Sequence, residues 1–257
     1  MSRNARRIQL IPGYILHHRP YRDTSRILEV ITRDHGRLSL FARGVRGPKA
    51  KLASILQPFQ LLLLSWLGRG EAAQLTGAES AQAVGNAQAG LLPPGCLMAA
   101  FYLNELLLKL TTRHDPLPVV FDTYHETLQR LRQGVPLEPE LRVFEKRLLE
   151  SLGYGLDLGA EAQTGKPIEP GEYYHFRPEQ GLVATVAAAA GALAGESLIE
   201  LAHERLAGER ALEDSKRLLQ AALAQCLEGR PLATRAVARA VARRESAQER
   251  NTHETPS

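Results

Sequence analysis

The stretch RILEVITRDHGRLSLFAR, residues 26–43, decides the fold of this chain. Its first seven residues, Arg26 to Thr32, are rich in β-branched side chains and predict a strand. Asp34-His35-Gly36 follows, and this combination is typical of a hairpin turn. Residues 37–43 then alternate with a period of two, which places Leu38, Leu40 and Ala42 on one face of a second strand. The stretch therefore predicts a β-hairpin.

Three further strands are predicted on either side of this hairpin. One runs from Ile8 to His17, where Pro12-Gly13 indicates a bulge or a bend. The others run over residues 59–67 and 72–77 and are separated by a glycine-containing turn. Five strands in about eighty residues are typical of an OB-fold barrel, although an SH3-like barrel has the same count. We therefore predict an N-terminal β-barrel over residues 1–80 and interpret it as an OB-fold.

Beyond this barrel, from Pro93 onward, the hydrophobic period becomes helical. It predicts helices near residues 97–110, 119–131, 141–152, 196–207, 214–228 and 232–244. Short β-like pieces occur in a stretch interrupted by glycine and proline at about residues 154–186. We expect a mainly helical domain over residues 81–245 with this β-like insertion, followed by a disordered polar tail over residues 246–257. The predicted fold class is α+β.

Positive charge is concentrated in the predicted barrel. Residues 1–70 hold thirteen lysine and arginine residues and three acids, a net charge of +10, so the remainder of a chain with net charge +4 carries −6. An asymmetry of this size predicts a polyanionic partner, because so many like charges on a small module repel one another. The alternative is a cationic surface that is merely solvated.

Two basic clusters stand out within this segment. The loop over residues 43–51 places cations on a flexible Gly/Pro frame, and such a loop at a barrel rim can follow phosphates without reading sequence. An ordinary exposed loop is the competing interpretation. Tyr21, in the predicted turn over residues 19–22, is the aromatic residue that we expect to stack on a base. The candidate nucleic-acid contacts are Arg19, Arg22, Arg26, Arg37, Arg43, Arg46, Lys49 and Lys51.

No catalytic pattern accompanies these basic residues. The sequence contains no P-loop, no His-Glu-x-x-His and no Gly-x-Ser-x-Gly motif. A binding protein is therefore favoured over an enzyme such as a nuclease, which the absence of a carboxylate cluster argues against. An RNA-binding OB-fold module fits the charge pattern as well as a DNA-binding one does.

The remaining composition limits cofactors and location. Two distant cysteines, Cys96 and Cys226, cannot form a disulfide framework or a four-cysteine zinc site, so no cofactor is expected. No apolar run approaches the roughly 20 residues that cross a bilayer, and no signal-peptide core follows the basic N-terminus. We expect a cytoplasmic protein, associated with the nucleoid if its ligand is DNA.

Many short motifs, in order along residues 8–240, resemble those of the RecO family of DNA-repair mediators. No single one is unique, but so many in the same order are specific. They are Gly13-Tyr14-Ile15-Leu16, Arg19-Pro20-Tyr21, Asp23-Thr24-Ser25, Thr32-x-x-x-Gly36-Arg37-Leu38, Ala42-Arg43-Gly44-Val45-Arg46, Leu56-Gln57-Pro58-Phe59, Gly77-Ala78-Glu79, Phe101-Tyr102-Leu103-Asn104-Glu105-Leu106, Phe121-Asp122-x-Tyr124, Leu141-Arg142-x-Phe144-Glu145 and Leu152-Gly153-Tyr154-Gly155.

The resemblance implies an OB-fold followed by a helical domain. It also implies binding of single- and double-stranded DNA, annealing of complementary strands without a nucleotide cofactor, and loading of RecA onto SSB-coated DNA together with RecR. In the family the acidic SSB tail binds the helical domain, and Arg142 resembles a position there. The alternative for Arg142 is a surface arginine that pairs with Glu138 or Glu145 along its helix.

One departure from the family concerns zinc. Many members carry two Cys-x-x-Cys pairs after the Gly-Tyr-Gly motif, whereas residues 157–186 of this chain contain no cysteine. We therefore predict that zinc is absent and that packing around Tyr173, Tyr174, Phe176 and Leu182 holds the insertion together. Stoichiometric zinc in the purified protein would contradict this prediction.

Overall fold

The computed structural model describes residues 7–45, 52–68, 73–81, 91–187 and 189–237. Five strands open the chain: β1 (Arg7–Tyr21), β2 (Ser25–Thr32), β3 (Gly36–Ala42), β4 (Leu62–Leu67) and β5 (Ala73–Ser80). They form a closed barrel in the order β1-β2-β3-β5-β4, in which β3 and β5 run parallel and the other neighbours run antiparallel. The prediction of a five-stranded OB-fold barrel is confirmed.

The hairpin that decides the fold has the predicted register. Arg26 pairs with Ala42 and Thr32 pairs with Gly36, so Leu28, Val30, Leu38 and Leu40 fill the barrel. Gly36 has φ +64°, a left-handed conformation that glycine adopts without a steric penalty. The turn signal in the sequence therefore reflects a real conformational requirement.

Strand β1 is longer than predicted. It continues to Tyr21, because Arg19 pairs with Ile27 and Tyr21 pairs with Ser25. The prediction of a turn over residues 19–22 was wrong: Arg19 and Tyr21 lie in the strand, and the turn follows at residues 22–24. Proline at position 20 is compatible with the strand. The bulge expected at Pro12-Gly13 is replaced by two irregularities on either side of it. The pairing of β1 with β2 shifts between Ile15 and His17, and the pairing of β1 with β4 shifts between Ile8 and Ile11.

The region after the barrel is mainly helical, as predicted. A 3₁₀ turn (Pro94–Cys96) leads into α1 (Leu97–Leu110), and α2 (Pro118–Arg132) and α3 (Leu137–Ser151) follow. A small sheet in the order β7-β6-β8 is built from β6 (Tyr173–Arg177), β7 (Gly181–Thr185) and β8 (Leu193–Ala194). Helices α4 (Gly195–Ala202) and α5 (Glu209–Cys226) come next. Among the described helices, none combines the length and the apolar character that crossing a bilayer requires.

Two hydrophobic clusters organise the molecule. One is the barrel interior, and the other joins the helices and the small sheet to part of the outer barrel surface. The outer surface contributes Tyr14, Leu16, Ile31 and Phe59 to that second cluster. Tyr14 is fully buried against Phe121 and Tyr124 of α2. The helical region therefore packs on one part of the outer barrel surface, whereas the turn between β1 and β2 is exposed to solvent.

Candidate nucleic-acid interface

Strands β1 to β3 present two different outer surfaces, one at each end of the hairpin. The end near the β2–β3 turn touches the helical region and is called the junction end here; its barrel residues are Arg33, Gly36 and Arg37. The end near the β1–β2 turn is solvent-exposed and is called the open end; it consists of Arg19, Tyr21, Arg22, Phe41 and Arg43. The candidate arginines predicted from sequence are divided between the two ends.

At the junction end, Arg37 is bound on several sides by protein atoms. Its guanidinium donates to Oε2 of Glu29 at 3.1 Å, to the carbonyl of Thr111 at 2.8 Å and to the Thr111 hydroxyl at 3.2 Å. Glu29 also accepts hydrogen bonds from Ser39 and Arg113. Although burial acts in the opposite direction, these donors hold the pKa of Glu29 below its ordinary value. Arg37 thus joins the barrel to the segment after α1.

Two further contacts strengthen the junction end. Arg33 forms a bidentate pair with Asp122 of α2, with Nε–Oδ1 and Nη2–Oδ2 distances of 3.0 and 2.9 Å. The Tyr14 hydroxyl lies 2.6 Å from Nδ1 of His125. Burial raises the pKa of Tyr14 to about 12, so its hydroxyl keeps its proton. Cations at this end therefore hold the barrel to the helices.

At the open end, the cations lie over aromatic rings. The guanidinium carbon of Arg22 is 5.4 Å from the centroid of Tyr21, and that of Arg43 is 5.5 Å from the centroid of Phe41. The two rings meet edge to face with their centroids 5.2 Å apart. Arg19 lies on the same outer face, since it shares a register row with Ile27 and Phe41. The open end thus combines exposed positive charge with aromatic surface.

Arg26 is separated from the other members of its predicted cluster. It has the strand parity of Leu28 and Val30, which point into the barrel, and its Nη1 is buried without a hydrogen-bond partner among the described residues. The pKa of His18 is lowered mainly by burial of the histidine, and the positive charge of Arg26 lowers it further. The predicted loop contacts Arg46, Lys49 and Lys51 lie outside the described residues.

Arg142 is buried and lines a cavity between helices. The ion pairs with Glu138 and Glu145 that the alternative interpretation gave are present, but the arginine is not a surface residue, since its side chain is only 5 % exposed. Nη1 lies 3.0 Å from Oε2 of Glu145 without hydrogen-bond geometry, and Nε also lacks a partner in the described part of the chain. The cavity measures about 240 Å³, and its walls include Met98, Tyr102, Leu141 and Arg235.

Glu145 is the carboxylate that pairs with Arg142 in this cavity. It is fully buried, and the Tyr102 hydroxyl donates to its Oε1 at 2.6 Å. Burial raises the pKa of Glu145 although the nearby Arg142 acts in the opposite direction. Arg235 donates to the Tyr102 hydroxyl at 3.1 Å. Two arginines, two carboxylates (Glu138 and Glu145) and an apolar wall therefore line the cavity. Nε and Nη1 of Arg142 lack hydrogen-bond partners among the described residues, so an additional anionic group attached to an apolar one could find donors there.

The β-like insertion is held together without a cluster of metal ligands in its described part. Tyr174 and Leu182 are buried in the helical core, as expected from the sequence, whereas Tyr173 and Phe176 are only half-buried. Glu161 adds a contact that the sequence did not suggest. Its carboxylate accepts hydrogen bonds from the backbone of Gln163 and Thr164 and from the Thr164 hydroxyl. The absence of zinc stays a prediction.

Two family models cover this architecture. Residues 8–84 match "Recombination protein O N terminal", and residues 96–236 match "Recombination protein O C terminal". The chain belongs to the RecO family. The resemblance read from the motifs is thereby confirmed, and with it the assignment to a family of DNA repair and recombination proteins.

Individual relatives agree along nearly the whole chain. A "DNA repair protein RecO" of Nitrosococcus oceani is 43 % identical, over 89 % of this chain and 92 % of the relative. The protein of the same name from Methylococcus capsulatus is 42 % identical, over 89 % and 92 %. That of Coxiella burnetii is 38 % identical, over 90 % and 97 %. The match to RecO relatives thus spans both the barrel and the helical region.

Sequence reasoning missed the partners of these charged residues in the RecO-family fold. Arg113 and Asp122, which bind Glu29 and Arg33, are 84 and 89 residues away from them along the chain. Tyr102 and Arg235 at the cavity are separated by 133 residues. A periodic pattern within one element carries no signal for such pairs.

Proposed function

We propose that this RecO-family protein is a non-enzymatic, DNA-binding recombination mediator. It binds single- and double-stranded DNA, anneals complementary single strands and, together with RecR, helps to load RecA onto SSB-coated DNA. The open end and the loop over residues 43–51 are its main DNA contact. The open end carries this proposal, because Arg22 and Arg43 lie exposed over aromatic rings at the barrel surface.

The proposed annealing mechanism is electrostatic. Two complementary strands repel each other through their phosphates, and cations on the barrel reduce that repulsion while bases find their partners. Contacts to phosphates carry no sequence information, which suits a protein that anneals any pair of complementary strands. If about six phosphates are bound, affinity falls roughly a thousandfold between about 50 and 200 mM salt.

A strand-annealing assay with and without SSB tests the proposal. The protein is expected to accelerate annealing of labelled complementary strands without a nucleotide, and to do so on SSB-coated strands as well. Competition with RNA of equal length tests the DNA assignment, and incubation of labelled DNA with Mg²⁺ or Mn²⁺ tests for a nuclease. Failure to accelerate annealing, a salt slope near zero or cleavage of the DNA would overturn the proposal.

The loop contacts can be tested together. Replacing Arg43, Arg46, Lys49 and Lys51 by alanine removes four cations and should weaken DNA binding and reduce its salt slope by about 3 to 4. The fold should persist, as circular dichroism can check. Lys216→Ala, at an exposed position of α5, is the matched control for loss of a surface charge. Unchanged affinity of the fourfold variant would place the DNA site elsewhere.

We also propose that the cavity at Arg142 binds the acidic tail of SSB. Nε and Nη1 of Arg142 have no hydrogen-bond partner among the described residues, although Nη1 is ion-paired with Glu145, so a carboxylate of the tail would add the acceptor that they lack. Arg235 adds a second cation at the same wall, while Met98 and Leu141 offer apolar contact. The cavity thereby provides the two kinds of contact that an acidic peptide with apolar side chains requires.

Two substitutions test this site. Arg142→Ala should abolish binding of a fluorescent peptide with the sequence of the SSB tail, but it also leaves Glu145 buried without its counter-charge and destabilises the fold. Met98→Glu avoids this problem, because Met98 is 41 % exposed and its replacement adds a repelling charge at the cavity wall. Loss of peptide binding in both variants, with DNA affinity retained, is expected. Normal peptide binding by Met98→Glu would count against the site.

A further inference from the structure

The open end contains a continuous row in which two rings lie between two cations, Arg22–Tyr21–Phe41–Arg43. The guanidinium carbons of Arg22 and Arg43 lie 5.4 and 5.5 Å from the centroids of Tyr21 and Phe41, and the two ring centroids are 5.2 Å apart. Elsewhere in the molecule the aromatic pairs include fully buried rings, such as Tyr14 with Tyr124 and Tyr124 with Phe144. Tyr21 differs, because it is 38 % exposed and lies beside a turn of exposed residues. Packing in a core therefore does not account for this pair.

The barrel register explains how the two rings meet across β2. Tyr21 faces Ser25 in the pairing of β1 with β2, and Ile27 faces Phe41 in the pairing of β2 with β3. Ser25 is small and buried, which leaves room for the Tyr21 ring to lean across β2 towards β3. The two neighbouring arginines leave the strands at this point, since Arg22 has φ +51° and β3 ends at Ala42. The backbone thus holds the rings, while the cations lie on turns.

We propose that Tyr21, held edge to face by Phe41, forms a stacking platform for an unpaired base of single-stranded DNA. This inference rests on the proposed DNA-binding function and adds selectivity for single strands to it. Base–aromatic stacking tolerates every base, because each has a π face, and a cation on either side of the ring pair suits the phosphates on either side of a base. Arg22 and Arg43 bind the phosphates on either side of the stacked base.

The platform discriminates between single strands and duplexes. Bases in a duplex are already stacked and paired, so only its phosphates reach the open end. Tyr21 therefore contributes to single-strand affinity and not to duplex affinity, whereas Arg43 contributes to both. During annealing, a base held on the platform leaves it when it pairs, so the completed duplex binds less tightly than its separate strands.

Fluorescence anisotropy with three ligands tests the platform. Tyr21→Ala should lower the affinity for a single strand about tenfold. The affinity of Tyr21→Ala for a duplex should equal that of the wild type. The same should hold for an abasic strand, which keeps the phosphates but has no bases to stack. Tyr21→Trp should restore single-strand binding, and Tyr154→Ala, which removes another exposed tyrosine, should leave all three affinities unchanged. A strand containing 2-aminopurine should lose fluorescence on binding the wild type and not on binding Tyr21→Ala.

The outcomes separate the two proposals. If Tyr21→Ala lowers affinity for all three ligands equally, or for none, the platform is wrong and DNA binding through phosphates stands. If the wild type binds none of the three ligands, the proposed function itself fails and the platform fails with it. Circular dichroism and thermal unfolding of Tyr21→Ala verify that a lost affinity does not come from an unfolded barrel.

Discussion

The open end and the junction end are built on the same three strands, yet their arginines have opposite roles. Arg33 reaches the Asp122 carboxylate of α2, and Arg37 reaches Glu29 of β2 and the Thr111 carbonyl after α1. Arg22 and Arg43 lie over rings that are themselves on the barrel. An arginine whose donors are bound by several protein acceptors has little left for phosphate, whereas an exposed arginine such as Arg43 can still reach a phosphate from its place over a ring. Positive charge in this barrel therefore divides into charge that supports the fold and charge that remains for a ligand.

The largest expected effect comes from two glycines with the same backbone conformation, one near each end. Gly36 at the junction end has φ +64°, and an added Cβ would lie 2.1 Å from the carbonyl oxygen of Asp115. Gly44, next to Arg43, has φ +65° and open space around the same position. Gly36→Ala should lower the free energy of unfolding by about 3 kcal/mol or more, since strain and a backbone clash add.

Gly44→Ala is the matched control for that substitution. It carries only the penalty of a left-handed alanine, about 1 kcal/mol. Urea unfolding of both variants at one pH measures the difference. Equal costs for the two substitutions would mean that the barrel does not press on the helical region at Gly36, and the junction end would lose its assigned role.

The second effect separates Arg37 from Arg43. Arg37→Ala removes charge-assisted hydrogen bonds to Glu29 and Thr111 and should cost about 2 kcal/mol of stability. At temperatures where it stays folded, it should bind DNA nearly as the wild type does. Arg43→Ala should change stability little, because its side chain is exposed, and should reduce the salt slope of DNA binding by about 0.9.

Paired measurements of unfolding and DNA affinity decide the comparison. Among the eight arginines and lysines predicted as nucleic-acid contacts, Arg37 is thus expected to contribute least. If Arg37→Ala weakens DNA binding as strongly as Arg43→Ala while remaining as stable as the wild type, the division between the two ends is wrong.

This division marks how far the sequence could predict the molecule. Strands, helices and the hairpin register follow from local periodicity and turn residues, so the elements given above were predicted within about five residues. The helix predicted near residues 232–244 lies partly outside the described residues. Arg37 and Arg43 look alike in the sequence, since each is a basic residue at an end of the same alternating strand. What distinguishes them is a threonine 74 residues away from Arg37 and a ring two residues away from Arg43. Only the packing of the helical region on the barrel brings that threonine to Arg37.

The same limit applies to Arg142. Its helix was predicted from the spacing of Leu141, Phe144 and Leu148, and a single helix with charged neighbours indicates a solvated arginine. The structure buries it, because residues of α1 and of the segment around Arg235 also line its cavity. A cavity enclosed by segments distant in sequence has no local signature, so its walls could not be read from α3 alone.

The smallest expected effect is a pH dependence of the junction end. Burial lowers the pKa of His125 below its ordinary value near 6.5, and Arg132 acts in the same direction while Asp122 partly opposes it. A histidine whose pKa is lower in the folded state binds fewer protons there than in the unfolded state. Its contribution to stability is therefore complete above about pH 6.5 and is lost as the pH falls from there through the folded-state pKa. The neutral ring is the form that meets the Tyr14 hydroxyl at 2.6 Å without a buried charge.

His125→Gln replaces the titrating ring by a neutral amide that can still meet the Tyr14 hydroxyl. We expect the urea midpoint of the wild type to fall between about pH 7.5 and pH 5.5 more than that of this variant does. His203→Gln, at an exposed position after α4, should behave as the wild type. The same decrease in all three proteins would show that His125 does not couple the junction to pH. A smaller decrease in His125→Gln alone would place this coupling at the contact between β1 and α2, on the side of the barrel that supports the fold.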